Sequence, residues 1–114
     1  MNAGCALFVV GTGVSASVYS YMNGELKRSY PEPFDKTVQA STETVKNLNM
    51  TITKESSEEN RTIILAKRPC GIPITLKIEQ ITPEVTEVSI RSGVIGLWNI
   101  KVSELIHANI AQRL

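Results

Sequence analysis

The feature that most limits how this chain can fold is a strict alternation of apolar and polar residues in two segments of its second half. Ile72-Pro-Ile-Thr-Leu-Lys-Ile-Glu-Gln sets Ile72, Ile74, Leu76 and Ile78 against Thr75, Lys77 and Glu79. Val85-Thr-Glu-Val-Ser-Ile-Arg sets Val88 and Ile90 against Glu87, Ser89 and Arg91. Successive side chains of a strand point to opposite faces, so this period predicts a sheet with one buried and one wet face. Two further strands, Met50-Thr-Ile-Thr-Lys and Arg61-Thr-Ile-Ile-Leu-Ala-Lys, complete a four-strand antiparallel meander over residues 50–92. Its turns fall at Ser56-Ser-Glu-Glu-Asn, Arg68-Pro-Cys-Gly-Ile-Pro and Thr82-Pro-Glu. In the strand from Arg61 three apolar residues run together and leave the parity open. We set Ile64 and Ala66 inward, which puts Ile63 and Leu65 on the open face.

The flanking segments supply the cover for the buried face. Glu25-Leu-Lys-Arg-Ser-Tyr is a short first strand stopped by Pro31. Pro33 suits the first turn of a helix, where a missing N–H costs nothing. Phe34, Val38, Ser41, Val45 and Leu48 then recur at spacings of three and four, one stripe of an amphipathic helix. Gly93-Val-Ile-Gly-Leu-Trp reads as a loop. A second helix follows from about Asn99, with Val102, Ile106, Ile110 and Leu114 four apart and Asn99 or Ser103 as its cap. The expected fold is α+β, in the order β-α-β-β-β-β-α: a five-stranded antiparallel sheet with two helices on one face. That order is TATA-binding-protein-like or helix-grip-like, an analogy of fold from which no function follows.

Residues 1–24 carry no charge, and the composition changes sharply at Glu25. A boundary at Asn23-Gly24 divides the chain into a leader, 1–24, and a single α+β domain, 25–114. Four readings of the leader compete. Ala3-Gly4-Cys5 resembles the end of a bacterial lipobox, in which a small residue precedes a cysteine that receives a diacylglycerol. Cys5 is then the lipidation site and residues 6–24 a tether. A basic n-region and an apolar h-region would have to precede it. The leader also reaches the lower length limit for a transmembrane helix, though glycine and serine make it a poor one. With Lys27 and Arg28 after it, that helix would place the domain in the cytoplasm. Gly11-Thr-Gly-Val-Ser-Ala matches a dinucleotide fingerprint, without the βαβ context that gives the motif meaning. The last reading is a plain tail.

Composition narrows the chemistry. A net charge of +1 gives no electrostatic case for nucleic acid. Two cysteines and one histidine cannot supply four Cys/His ligands to a metal, and no cofactor is expected. His107 lies four residues from Ser103, within reach on one helix face, but nothing indicates an oxyanion hole or a pocket, so a non-enzyme is expected. Trp98 suits the cover of a core edge better than a ligand platform. Cys70 reads as an incidental surface thiol in a turn, and a Cys5–Cys70 disulfide is excluded if Cys5 carries lipid. Two glycosylation sequons, at Asn49 and Asn60, are discounted for a bacterial-looking chain. The candidate partner surface is the open sheet face, where Ile63 and Leu65 stand among Lys67, Lys77 and Arg91. Glu79 and Glu87 on the same face argue against DNA, which wants one sign of charge.

Several short stretches in order, Asn23-Gly-Glu-Leu-Lys-Arg-Ser-Tyr-Pro, Phe34-Asp-Lys, Ala66-Lys-Arg, Ile74-Thr-Leu-Lys-Ile-Glu and Thr86-Glu-Val-Ser-Ile-Arg-Ser-Gly, resemble a family of small bacterial envelope lipoproteins. It is known as domain-of-unknown-function family 3568. The resemblance runs from about Cys5 to the C-terminus. Its Gly-Cys start followed by an alanine-, glycine- and valine-rich stretch matches residues 4–16. It implies a lipid-anchored, periplasm-facing envelope protein, on the outer membrane in preference to the inner. Membrane contact would run through the anchor and recognition through an envelope protein partner. The hairpin at Arg68-Pro-Cys-Gly departs from the family's plain polar turn and leaves Cys70 without a family role. The alternative is a small-ligand binding domain with a pocket between helices and sheet.

Overall fold

The structure, a computed structural model, describes residues 19–114. Eight elements follow in order: β1 (Ser20–Met22), β2 (Glu25–Tyr30), α1 (Phe34–Asn47), β3 (Thr51–Ser57), β4 (Arg61–Lys67), β5 (Pro73–Thr82), β6 (Val85–Ser92) and α2 (Ile100–Gln112). The strands form one antiparallel sheet in the order β1-β2-β6-β5-β4-β3. The architecture is α+β, as expected, with β3 to β6 forming the meander.

The sheet has six strands where the sequence indicated five. The extra strand is β1, drawn from the uncharged segment assigned to the tether. It pairs Ser20 with Lys27 and Met22 with Glu25 through a tight turn at Asn23-Gly24, both at positive φ. All three residues of β1 are exposed, so no apolar alternation marked it as a strand. The rest of the tether and Cys5 lie outside the described residues.

The alternation sets the core. Ile74, Leu76 and Ile78 of β5, Val88 and Ile90 of β6 and Ile64 and Ala66 of β4 are sealed from solvent on one face. Ile72, expected inward, precedes β5 and is exposed. The parity chosen for β4 holds: Leu65 is exposed and Ile63 half-buried on the other face. Both helices cover the apolar face. From α2 come Val102, Ile106 and Ile110; from α1 come Ala40 and Val45. Asn99 caps α2, its Oδ1 accepting from the N–H groups of Lys101 and Val102 at 3.0 and 3.3 Å.

Both sheet edges are unattractive for further pairing. β1 is three residues long, and β3 shifts register between Ile52 and Lys54 and carries Lys54 and Glu55 outward. Short, bulged and charged edge strands resist edge-to-edge association.

Candidate functional site

Strand register arranges the open face in rows. Leu65 stands opposite Thr75, Thr75 opposite Arg91 and Arg91 opposite Glu25. In the next row Ile63 faces Lys77, Lys77 faces Ser89 and Ser89 faces Lys27. Ile63, Leu65, Lys77 and Arg91 are therefore on one surface, as the sequence indicated. Lys67 sits opposite Pro73, where the sheet ends.

Glu25 changes the character of this face. Its carboxylate lies 3.5 Å from Lys77 Nζ and 3.7 Å from Arg91 Nη2. Part-exposed pairs at these distances contribute little stability. One carboxylate is shared by two of the three expected cations, so it offsets part of their charge and leaves the centre of the face mildly positive beside Leu65. Nothing in the sequence tied Glu25 to this face, because its neighbour β6 is more than 60 residues further on.

A shallow depression of about 520 Å³ opens at the end of the face, lined by Pro73, Thr75, Arg91 and parts of the 93–98 loop. Trp98 forms its wall. The Arg91 guanidinium carbon lies 5.4 Å from the Trp98 ring centroid, within cation–π range. The indole also packs on Gly24, where a Cβ would come within 2.2 Å of the ring. Gly93 has φ +108 and a Cβ there would approach Leu97 O to 2.5 Å. Glycine is thus required at both positions, and the loop is clamped between them. A second depression of about 240 Å³ lies along β1 and β2, among Ser20, Met22, Asn23, Glu25 and Lys27.

His107 does not meet Ser103. The two point at different strands: the Ser103 hydroxyl bonds Ser92 Oγ at 2.8 Å and Ile90 O at 3.3 Å. His107 Nε2 lies 2.8 Å from Leu26 O, and Tyr30 Oη lies 2.7 Å from His107 Nδ1. A carbonyl only accepts, so Nε2 carries the proton and Nδ1 accepts from the tyrosine. Burial pushes the His107 pKa down to about 4, helped by the positive charge of Arg28 and opposed by the bond to Leu26 O. Burial likewise raises Tyr30, and Tyr19 packs edge-on against the imidazole at 5.3 Å. The result is a neutral, sealed latch between α2 and β2, with no solvent-facing base.

Cys70 is disulfide-bonded and so is not the surface thiol expected from the sequence. The chain's other cysteine, Cys5, lies outside the described residues. Among the described residues no cluster of His, Cys, Asp or Glu is placed to hold a metal ion. No helix among them is long and apolar enough to cross a membrane.

No curated protein matches this sequence. A family model does, over residues 1–113, and its description is protein of unknown function (DUF3568). The match covers nearly the whole chain, the leader as well as the sheet and both helices, and on it the chain belongs to the DUF3568 family.

Proposed function

We propose that the chain is a lipid-anchored bacterial envelope protein whose α+β domain is a non-enzymatic binding module. The observation that carries this reading is the order of parts: Ala3-Gly4-Cys5, then an uncharged stretch, then a folded domain beginning near Ser20. In the anchored form Cys5 Sγ is the acceptor of the lipid, which excludes a bridge from Cys5 to Cys70, and two or more acyl chains hold a protein to a bilayer essentially permanently. The domain faces the periplasm, on the outer membrane in preference to the inner. Its fold, β1 aside, is read as of the TATA-binding-protein or helix-grip kind.

Recognition falls on the open sheet face, at Ile63, Leu65, Lys67, Lys77 and Arg91, with an envelope protein as partner. The burial pattern supports a surface site over an internal ligand. Ile64, Leu76, Ile78, Ile90, Ile106 and Ile110, the side chains between sheet and helices, are each 0% exposed. Radiolabelled palmitate should enter the wild-type protein and vanish with Cys5→Ser. Acylation and a Cys5–Cys70 bridge compete for one sulfur, so intact mass of the purified native protein separates them. Labelling that persists in Cys5→Ser, or a native mass with two fewer hydrogens and no lipid, overturns the anchor.

A further inference from the structure

We propose that the sheet end bearing the 93–98 loop docks on an anionic lipid surface, with Val94, Ile95 and Leu97 entering the bilayer interface.

Topology brings four connections to this end. β1 and β2 turn here, α1 hands over to β3 here, β4 and β5 turn here, and β6 leaves here for α2. The amide of Gly93 donates to Pro73 O at 2.9 Å, which ties the loop to the start of β5. Large apolar side chains collect on these connections and face solvent: Ile95 is 87% exposed, Leu97 77%, Met22 69% and Val94 50%. Exposed apolar groups gathered in one place mark a contact surface. The loop is also built. Leu97 N donates to Val94 O at 2.9 Å, and Trp98 is seated on Gly24 below it. Its apolar side chains are thus presented on a fixed turn as a convex knob.

Charge selects the occupant. Lys101 in the first turn of α2 follows the knob directly and Lys67 at the end of β4 lies opposite Pro73, to which the loop is tied; both are exposed, as is Lys46 further off at the α1–β3 connection. Glu25 at this end is already engaged by Lys77 and Arg91. The opposite end is acidic: Glu59 lies in the β3–β4 turn, Glu84 in the β5–β6 turn and Asp35 in the first turn of α1, while Glu58 and Glu32 there are paired with Arg61 and Lys36. Such a polarised domain turns its apolar end toward a negative surface. Each lysine near an anionic leaflet adds attraction that fades within a Debye length. A knob flanked by Lys67 and Lys101 needs a surface that yields around it, which a fluid bilayer does and a preformed protein groove does only by matching its shape.

The test uses the full 114-residue chain without acylation, so its outcome is independent of the Cys5 anchor. Vesicles of phosphatidylglycerol in phosphatidylcholine are compared with phosphatidylcholine alone. Trp98 is the chain's single tryptophan and lies beside the loop, so its emission reports insertion. Expected are co-sedimentation with the anionic vesicles, a blue shift of Trp98 and weakening with added salt. I95D combined with L97D should lower binding by roughly ten-fold or more, and K67E with K101E should abolish the preference for anionic lipid. Ile81, exposed near the acidic end, supplies the control I81D, which should bind as wild type. These side chains are exposed, and an unchanged thermal midpoint verifies that each variant folds. Absence of binding to anionic vesicles overturns the proposal. So does binding that survives I95D with L97D, through the apolar leader or otherwise. Self-association abolished by the same pair, without vesicle binding, replaces the lipid with a second copy of the chain.

Discussion

The two helices lie on the same face of the same sheet and are nearly equal in length, 14 and 13 residues, yet they are fastened differently. Helix α1 presses small residues inward: Thr37, Ala40, Ser41, Thr44 and Val45. Two of its three buried hydroxyls are satisfied on its own backbone, Thr37 Oγ1 donating to Pro33 O at 2.9 Å and Ser41 Oγ to Thr37 O at 2.8 Å, while Thr44 Oγ1 meets no partner among the described residues. Helix α2 presses in Val102, Ile106 and Ile110, and its buried polar groups reach other elements: Ser103 reaches β6, while His107 reaches β2. A hydroxyl bonded within its own helix says nothing about where that helix sits. A buried polar group bonded across elements fixes rotation and register, because every displaced position leaves it unpaired. α1 is held by shape, and α2 by shape and by directed bonds.

The largest effects should come from the apolar contacts of α2. Ile106→Ala removes a fully buried side chain from the centre of the core and should cost about 3 kcal/mol or more in urea unfolding. Val45→Ala, its counterpart on α1, removes fewer carbons and should cost about 2 kcal/mol. Equal losses would mean the helices are fastened alike and would break the contrast.

The directed bonds of α2 should also make stability depend on pH. His107 is held near 4, below its ordinary value of 6.5, because burial penalises the charged ring. Above 6.5 both folded and unfolded chains carry it neutral and its contribution is complete. Between 6.5 and 4 the unfolded chain takes up a proton that the folded chain refuses, and up to roughly 3 kcal/mol is lost. Below 4 both forms are protonated and this group adds no further loss. His107→Gln should therefore be destabilised at neutral pH, and the gap to wild type should narrow toward pH ~4.5. A gap that stays constant across that window would show that the ring does not titrate differently in the two states.

The same contrast explains what could be read from the chain. The meander was legible because period two separates Ile64 and Ala66 from Leu65 without knowledge of any partner. The large aliphatics of α2 were legible for the same reason at helical spacing. Of the expected α1 stripe, Ser41 and Val45 are buried and Phe34, Val38 and Leu48 pack at the margin, while Thr37, Ala40 and Thr44, outside the stripe, are buried as well. Threonine and serine look polar in sequence, but a back-bond to the preceding turn lets Thr37 and Ser41 be buried. β1 was missed because its pairing is made by backbone alone. His107 and Tyr30 are 77 residues apart, so no local pattern pairs them, and the nearer Ser103 drew attention instead. On the open face, parity located Ile63, Leu65, Lys77 and Arg91, but the pairing of Lys77 and Arg91 with Glu25 depends on β2 lying beside β6, which only the topology fixes.

The smallest effects sharpen the contrast most, because they set one hydroxyl against another. Ser103→Ala removes the partner of Ser92 Oγ, which is itself buried, and strands it there. A loss of about 1–2 kcal/mol is expected. Thr37→Val removes a hydroxyl that is just as buried, but the acceptor it leaves behind is not stranded. Pro33 O still receives the backbone N–H of residue 37 at 3.1 Å. Valine keeps the branched shape, and its helix propensity is close to that of threonine. The change in stability should stay within about 0.5 kcal/mol of zero. Urea midpoints of the two variants, measured side by side with a common slope, decide the matter. If Thr37→Val costs as much as Ser103→Ala, burial of a hydroxyl sets the energy wherever its partner lies, and directed bonds from α2 to the strands have no special role in placing that helix.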